Sequence, residues 1–221
     1  MTDAGKGFEV VYADAHLLLL NKPAGLLSVP GKGEDKQDCL SARVQQSHAG
    51  ALIVHRLDMA TSGLMLMALD LPTQAALSNL FEKRKIRKRY VAVVDGHMSP
   101  ASTAMTSTGW QLIDLPIALD WPNRPLRIIH VDGKPSQTRW RPLDYDETTN
   151  TTRVELEPIT GRSHQLRVHL KALGHPIIGD KLYAPVDIAA RATRLLLHAC
   201  ELRFIHPASD GEMIFKNAHS F

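Results

Sequence analysis

Cysteine is scarce in this chain of 221 residues: Cys39 and Cys200 are its only two, and they stand far apart. No CxxC pair exists, which argues against a zinc site or a disulfide framework, and both read as reduced thiols of a cytosolic protein. No apolar run approaches the roughly 20 residues that a membrane helix needs. The opening MTDAGKGFEVVY lacks a charged segment followed by an apolar one, so no secretory signal is expected. Net charge is also low, 26 Lys plus Arg against 23 Asp plus Glu. A balance of +3 permits nucleic acid as a partner without indicating it. No internal repeat and no low-complexity linker interrupts the chain.

What is present is organised around residues 52–69, LIVHRLDMATSGLMLMAL. Two short apolar runs, Leu52–Val54 and Leu64–Leu69, flank Thr61-Ser62-Gly63, whose turn chemistry favours strands over helix. Between them lies His55-Arg56-Leu57-Asp58, a polar segment held by two pieces of core. A carboxylate fixed on such a loop can serve as nucleophile or base. Taken alone, Asp58 reads more readily as a residue that caps a turn with the Thr61 and Ser62 hydroxyls.

The full string HRLDMATSG resembles the HRLDxxTSG signature of the RluA family of pseudouridine synthases at all seven fixed positions. Further resemblances follow in the family's order: NKPAGLLSVPG from residue 21, Arg-Tyr-Val at Arg89–Val91, DWPNRP at Asp120–Pro125, GRSHQLRVH from Gly161, GHPIIGDxxY from Gly174 and LLLHA from Leu195. The resemblance implies an α+β fold, the family's mixed and mainly antiparallel sheet flanked by helices and loops. Many relatives carry an S4-type RNA-binding module ahead of this fold, for which the chain has no room. Residues 1–7 are expected to be a loose polar end and residues 8–221 a single catalytic domain.

The local pattern fits that expectation. Phe8–Tyr12 and His16–Asn21 read as strands; Asp38 is placed to cap a helix over Cys39–Ser47. A helix over Pro72–Lys83 follows Asp70, with Ala76, Leu77, Leu80 and Phe81 as its core stripe. Residues 83–89, KRKIRKR, hold six cations in seven positions. A solvated helix end and a phosphate-binding run fit them equally, and the neighbouring signature favours phosphate. Tyr90–Val94 reads as a buried strand, Leu126–Val131 and Ser136–Leu143 as strands joined at Asp132-Gly133, and Thr151–Glu157 as a half-exposed strand. Ser163 is placed to cap a helix that ends at Gly174, and 195–199, 201–207 and 213–216 finish the chain as strands. His164, His169 and His175 have gaps that do not converge as a metal pair at i, i+4 would, so no metal is expected.

The implied activity is isomerisation of chosen uridines in structured RNA. The N1–C1′ bond breaks, the uracil turns, and C5 is joined to C1′, with no redox change, so no cofactor is required. A flipped-out base and exclusion of water are required. The family's indispensable carboxylate maps to Asp58, its active-site tyrosine to Tyr90, and the arginine paired with the carboxylate to Arg167. Arg56 and His55 beside Asp58, Lys85, Lys88 and Arg89 of the basic run, Trp121 and Arg124 of the rigid loop, and Arg162 are the candidate RNA contacts. Lack of the S4-type module points to the RluA branch, whose substrates are uridines in stem-loops of 23S ribosomal RNA and transfer RNA. A cytoplasmic monomer with structured RNA as partner, and neither DNA nor membrane, is the expectation. The alternatives are a synthase restricted to transfer RNA, a catalytically silent RNA-binding factor, and a hydrolase pairing Asp58 with His55.

Overall fold

The computed structural model describes residues 7–100 and 109–221. Residues 1–6 of the loose polar end expected over residues 1–7, and residues 101–108, lie outside the described residues. The chain forms two compact units, Met1–Lys88 with His198–Ser220, and Arg89–Leu197 with Phe221. Both are sheet-based, and the architecture is the α+β type with mainly antiparallel pairing.

In the first unit, β1 (Glu9–Ala13) pairs antiparallel with β2 (Leu17–Lys22), and β2 pairs antiparallel with β4 (Ser62–Ala68). The short β3 (Leu52–Ile53) runs antiparallel to β4. β11 (Leu197–Ile205) joins β4 in parallel and β12 (Glu212–Lys216) in antiparallel fashion, which makes the sheet mixed. Every residue of β4 is buried, as its apolar run requires. Leu17, Leu19, Leu64, Leu66, Leu77 and Phe204 form one packed core, in which truncating a leucine to alanine costs about 2–5 kcal/mol. Leu77 comes from α2 (Leu71–Glu82), whose first turn is closed by Asp70 accepting from the Thr73 N–H at 2.7 Å and its hydroxyl at 2.9 Å.

In the second unit the strands run β5 (Arg87–Asp95), β10 (Thr151–Pro158), β9 (Gln137–Asp146), β6 (Gln111–Asp114), all antiparallel. A separate hairpin pairs β7 (Ile117–Leu119) with β8 (Arg127–Ile129). Two helices follow, α3 (Gln165–Ala172) and α4 (Val186–Ala190).

Four local expectations change. α1 (Leu40–Gln45) is capped by the Cys39 thiol, which accepts from the Ala42 N–H, because Asp38 is occupied by Arg43 at 2.7 and 2.6 Å. α3 starts at His164, in the left-handed region with φ 59, and Ser163 does not cap it. The strand Leu126–Val131 pairs backwards across the DWPNRP loop with β7, not forwards across Asp132-Gly133. The stretches 195–199 and 201–207 are parts of one continuous strand, β11.

Candidate active site

Asp58 stands on the loop between β3 and β4, half-buried, and its two neighbours are anchored from opposite sides. On one side, the buried Ser28 hydroxyl donates to the Leu57 carbonyl at 2.7 Å and accepts the Leu57 N–H at 3.1 Å. On the other, the Met59 carbonyl accepts from the Gly25 N–H at 2.8 Å and from the Lys22 ammonium at 3.1 Å. Lys22 is wholly buried, and its ammonium also donates to the Pro23 and Leu26 carbonyls at 2.8 and 2.7 Å. A lysine is buried only when its charge is met by such acceptors, and here backbone oxygens supply them. A further bond from the Thr61 N–H to the Asp58 carbonyl, 3.1 Å, closes the turn after the carboxylate. The NKPAGLLS and HRLDMATSG segments therefore fold as one interlocked piece.

The rest of the signature is anchored as well. His55 Nε2 accepts the Leu66 N–H at 2.8 Å, so the ring is neutral with its proton on Nδ1, and it stacks on Phe81 at 4.4 Å. Loss of hydration, with a smaller contribution from the Lys88 charge, pushes its pKa down to about 3. Ser62 bonds to His198 Nδ1 at 2.9 Å, and His198 Nε2 meets the Asn217 amide oxygen at 3.0 Å. Gly63, at φ 112, sits where a Cβ would run into the Ala199 backbone, so the β4–β11 approach demands glycine. Arg56 alone of this tetrapeptide is exposed.

The basic run divides by position. Lys83, Arg84, Lys85 and Arg87 are exposed. Lys88 is half-buried, and loss of hydration, then the Arg84 charge, lowers its pKa. Arg89 is held by the Glu155 carboxylate at 2.8 Å, which Arg141 also engages at 2.6 and 2.7 Å. Both guanidinium groups lie against the Trp110 ring, at 5.3 and 4.8 Å from its centre.

In the second unit Tyr90 lies opposite Leu156, and Leu156 opposite Trp140, so the three share one sheet face. α3 covers the same face, since Gln165 donates to the Thr138 hydroxyl at 3.0 Å and His169 bonds to it at 2.9 Å. Arg167, half a turn away round the helix, is directed elsewhere. It is 4 % exposed and forms a fork-to-fork pair with Asp180, itself 1 % exposed, at 2.8 and 2.5 Å. The Tyr183 ring lies 4.9 Å from the guanidinium carbon. Arg162 is held at its N–H by the Gln165 side chain, 3.0 Å. Trp121 and Arg124 occupy the tip of the β7–β8 hairpin, Trp121 is 66 % exposed, and the guanidinium of Arg124 covers its ring at 4.6 Å. The tip is internally braced, with the Asp120 N–H donating to the Leu126 carbonyl at 3.0 Å and the Asn123 amide to Asp120 at 3.0 Å.

Asp58 thus belongs to the first unit, and Tyr90 and Arg167 to the second. The three histidines that invite a metal reading have separate partners: Tyr183 for His164, Thr138 for His169, the Asp95 carbonyl for His175. Lys22, Ser28, Asp180 and Glu155 went unnoticed in the sequence. The first three fall inside motif segments, which is the signal that could have found them; Glu155 has none.

Comparison with known proteins agrees with the fold. The family described as RNA pseudouridylate synthase matches residues 16–172. The chain is 48% identical over 213 residues to the dual-specificity RNA pseudouridine synthase RluA of Escherichia coli strain K12, covering 96% of this chain and 93% of that protein. Identity to the protein of the same name from Salmonella typhimurium is 47% over 208 residues, 94% and 91% of the two chains. Among solved structures, human RNA pseudouridylate synthase domain containing 1 superposes with a TM-score of 0.79 at 27% identity, covering 98% of this chain and 85% of that one. The chain belongs to the RluA family of RNA pseudouridine synthases.

Proposed function

We propose that this synthase acts on uridines in stem-loops of both 23S ribosomal RNA and transfer RNA, in the cytoplasm, through Asp58, Tyr90 and Arg167. The observation that carries the reading is the Asp58 loop, complete in its signature and fixed on both sides by Ser28, Lys22 and Gly25. A reacting carboxylate must be held to within about 0.5 Å, and a loop clamped through its own backbone meets that need. Similarity to proteins named dual-specificity over nearly the whole chain supports two classes of RNA rather than one.

In this reading Asp58 acts at the ribose while the N1–C1′ bond breaks. Arg167 provides the positive charge that partners the carboxylate, and Tyr90 stacks on the uracil and assists loss of the C5 proton. The proton count balances: C5 loses one hydrogen and N1 gains one. Arg56, exposed two residues before Asp58, follows the flipped base into the helix, and Lys85, Trp121, Arg124 and Arg162 meet RNA. In this reading residues 8–221 form a single catalytic domain. A hydrolase using His55 as base has no support, since that ring is spent on the Leu66 N–H and hard to protonate.

Tritium release from C5-labelled uridine in unmodified transfer RNA and in 23S fragments tests the reading, with Asp58→Ala as the control. Release from both RNAs by the wild type alone is expected. Release from transfer RNA only would refute dual specificity, and release by Asp58→Ala would refute the role of Asp58.

A further inference from the structure

The least expected contact in the second unit is the pairing of Arg167 with Asp180. A buried ion pair is a poor source of stability, because stripping water from both charges offsets most of their attraction. This one is nonetheless built with unusual completeness. Asp180 Oδ2 accepts from Arg167 Nε at 2.8 Å; Oδ1 accepts from Arg167 Nη2 at 2.5 Å and from the N–H groups of Leu182 and Tyr183 at 3.0 and 3.2 Å. Four donors on two oxygens leave the carboxylate a single orientation. The backbone fixes it too: Gly179, just before it, has φ 78, and a Cβ there would collide with the Arg194 carbonyl. Tyr183 then closes the guanidinium from its face, and its own hydroxyl is pinned by the Arg127 N–H at 3.0 Å and by His164 Nδ1 at 2.5 Å.

The arrangement has a chemical consequence. A guanidinium carries five N–H donors in a rigid plane. Asp180 takes the Nε proton and one Nη2 proton, which turns the opposite edge, with Nη1, away from itself. A long side chain that would otherwise sample many rotamers is thereby presented in one plane and one direction.

We propose that Asp180 is a positioning residue for the isomerisation, acting through Arg167, with Tyr183 as the second wall of the clamp. This rests on the roles proposed above for Asp58 and Arg167. Asp180 touches no reacting atom; it sets the plane in which Arg167 meets its target.

The test compares single-turnover rates on a labelled transfer-RNA stem-loop for the wild type, Asp180→Asn, Arg167→Lys and the double variant, with RNA affinity measured in parallel. Asp180→Asn keeps the shape and one acceptor for the Leu182 and Tyr183 N–H groups but loses the charge. Its rate should fall tenfold or more while affinity for the RNA stays within threefold. Lysine cannot present a planar fork, so in the Arg167→Lys background the Asp180 change should cost less than threefold further. A wild-type rate in Asp180→Asn, or losses that multiply in the double variant, would overturn the proposal. If Asp180→Asn does not fold, Tyr183→Phe carries the same comparison, since it removes only the hydroxyl that His164 and Arg127 hold. Asp58→Ala, run alongside, separates the two levels. Turnover in that variant would sink the underlying site, whereas its inactivity beside a fully active Asp180→Asn would sink only the positioning role.

Discussion

Deleting one oxygen, in Ser28→Ala, should disable the enzyme without touching an ionisable group. The Ser28 hydroxyl is buried and serves both the N–H and the carbonyl of Leu57, the residue before Asp58. A buried backbone group left without its partner costs about 1–3 kcal/mol, so two of them sum to roughly 2–6 kcal/mol. For a chain of 221 residues each kcal/mol moves the melting temperature by about 2–4 °C, giving a fall of roughly 4–24 °C. The rate should suffer separately, because a displacement of about 1 Å at a reacting group can cost on the order of a hundredfold. Thermal unfolding by circular dichroism, and single-turnover tritium release run below the lowered transition, read the two effects independently. Ser28→Thr, which keeps the hydroxyl, should recover most of the rate if its methyl is accommodated. A Ser28→Ala variant with unchanged melting and a rate within twofold of wild type would show that the Leu57 clamp does not hold Asp58.

Asp58→Asn should abolish turnover while RNA affinity stays within about tenfold, since one charge and no packing group is lost; a loss of binding as large as the loss of rate would contradict that. The His55 pKa, pushed down to about 3 in the folded chain from an ordinary value of 6.5, makes stability depend on pH with a definite sign. The unfolded chain binds the extra proton, so the contribution is complete above pH 6.5 and drains away as pH falls towards 3, about 2 kcal/mol of it between pH 7 and 5. Urea titrations of His55→Gln, which keeps an acceptor for the Leu66 N–H, should show that part of the slope gone. Lys85→Ala should reduce the dependence of log K on log salt by about 0.7–0.9 without changing stability. Arg89→Ala should do the reverse, because its guanidinium is already engaged by Glu155 and lies against the Trp110 ring. Trp121→Ala should weaken RNA binding by about 1–3 kcal/mol and leave melting unchanged, as the ring is 66 % exposed.

Much of this was legible in the sequence because it is written in apolar periodicity and local chemistry. The runs around HRLDMATSG are strands, Asp70 caps α2, and Gly174, at φ 82, ends α3. What escaped is written in contacts across the fold. Lysine is ordinarily a surface residue, and the three carbonyls that bury Lys22 have no sequence signature. Asp180 lies 13 residues beyond Arg167, past the helix end, where only the folded turn at Gly179 brings it back. The basic run reads as one patch in sequence, yet it leaves a turn and enters β5, so Lys85 stays in water while Arg89 falls opposite a glutamate. Trp121 was legible as a loop aromatic whose exposure the sequence left open, and the partner of β8 was not legible. The rigid DWPNRP loop turns the chain back upon β7 before Asp132-Gly133 is reached.

The same distinction bears on how mutations in the signature should be read. Of the residues around Asp58, His55 is committed to a strand N–H, Leu57 to the core and to Ser28, Met59 through its carbonyl to Lys22 and Gly25, and Ser62 to His198. Each anchor ends on backbone or on a buried side chain, so each holds the loop rather than facing the substrate. Loss of activity after changing His55, Ser28, Ser62 or Lys22 is therefore no sign of chemical participation. Positional loss should appear in rate and stability together, and it should be partly restored by any substitute that keeps the hydrogen bond. Chemical loss, expected only at Asp58, Tyr90 and Arg167, should persist in variants whose melting and RNA affinity are intact. Ser62→Ala and Asp58→Asn make the contrast sharpest, for they lie four residues apart on one loop and strand.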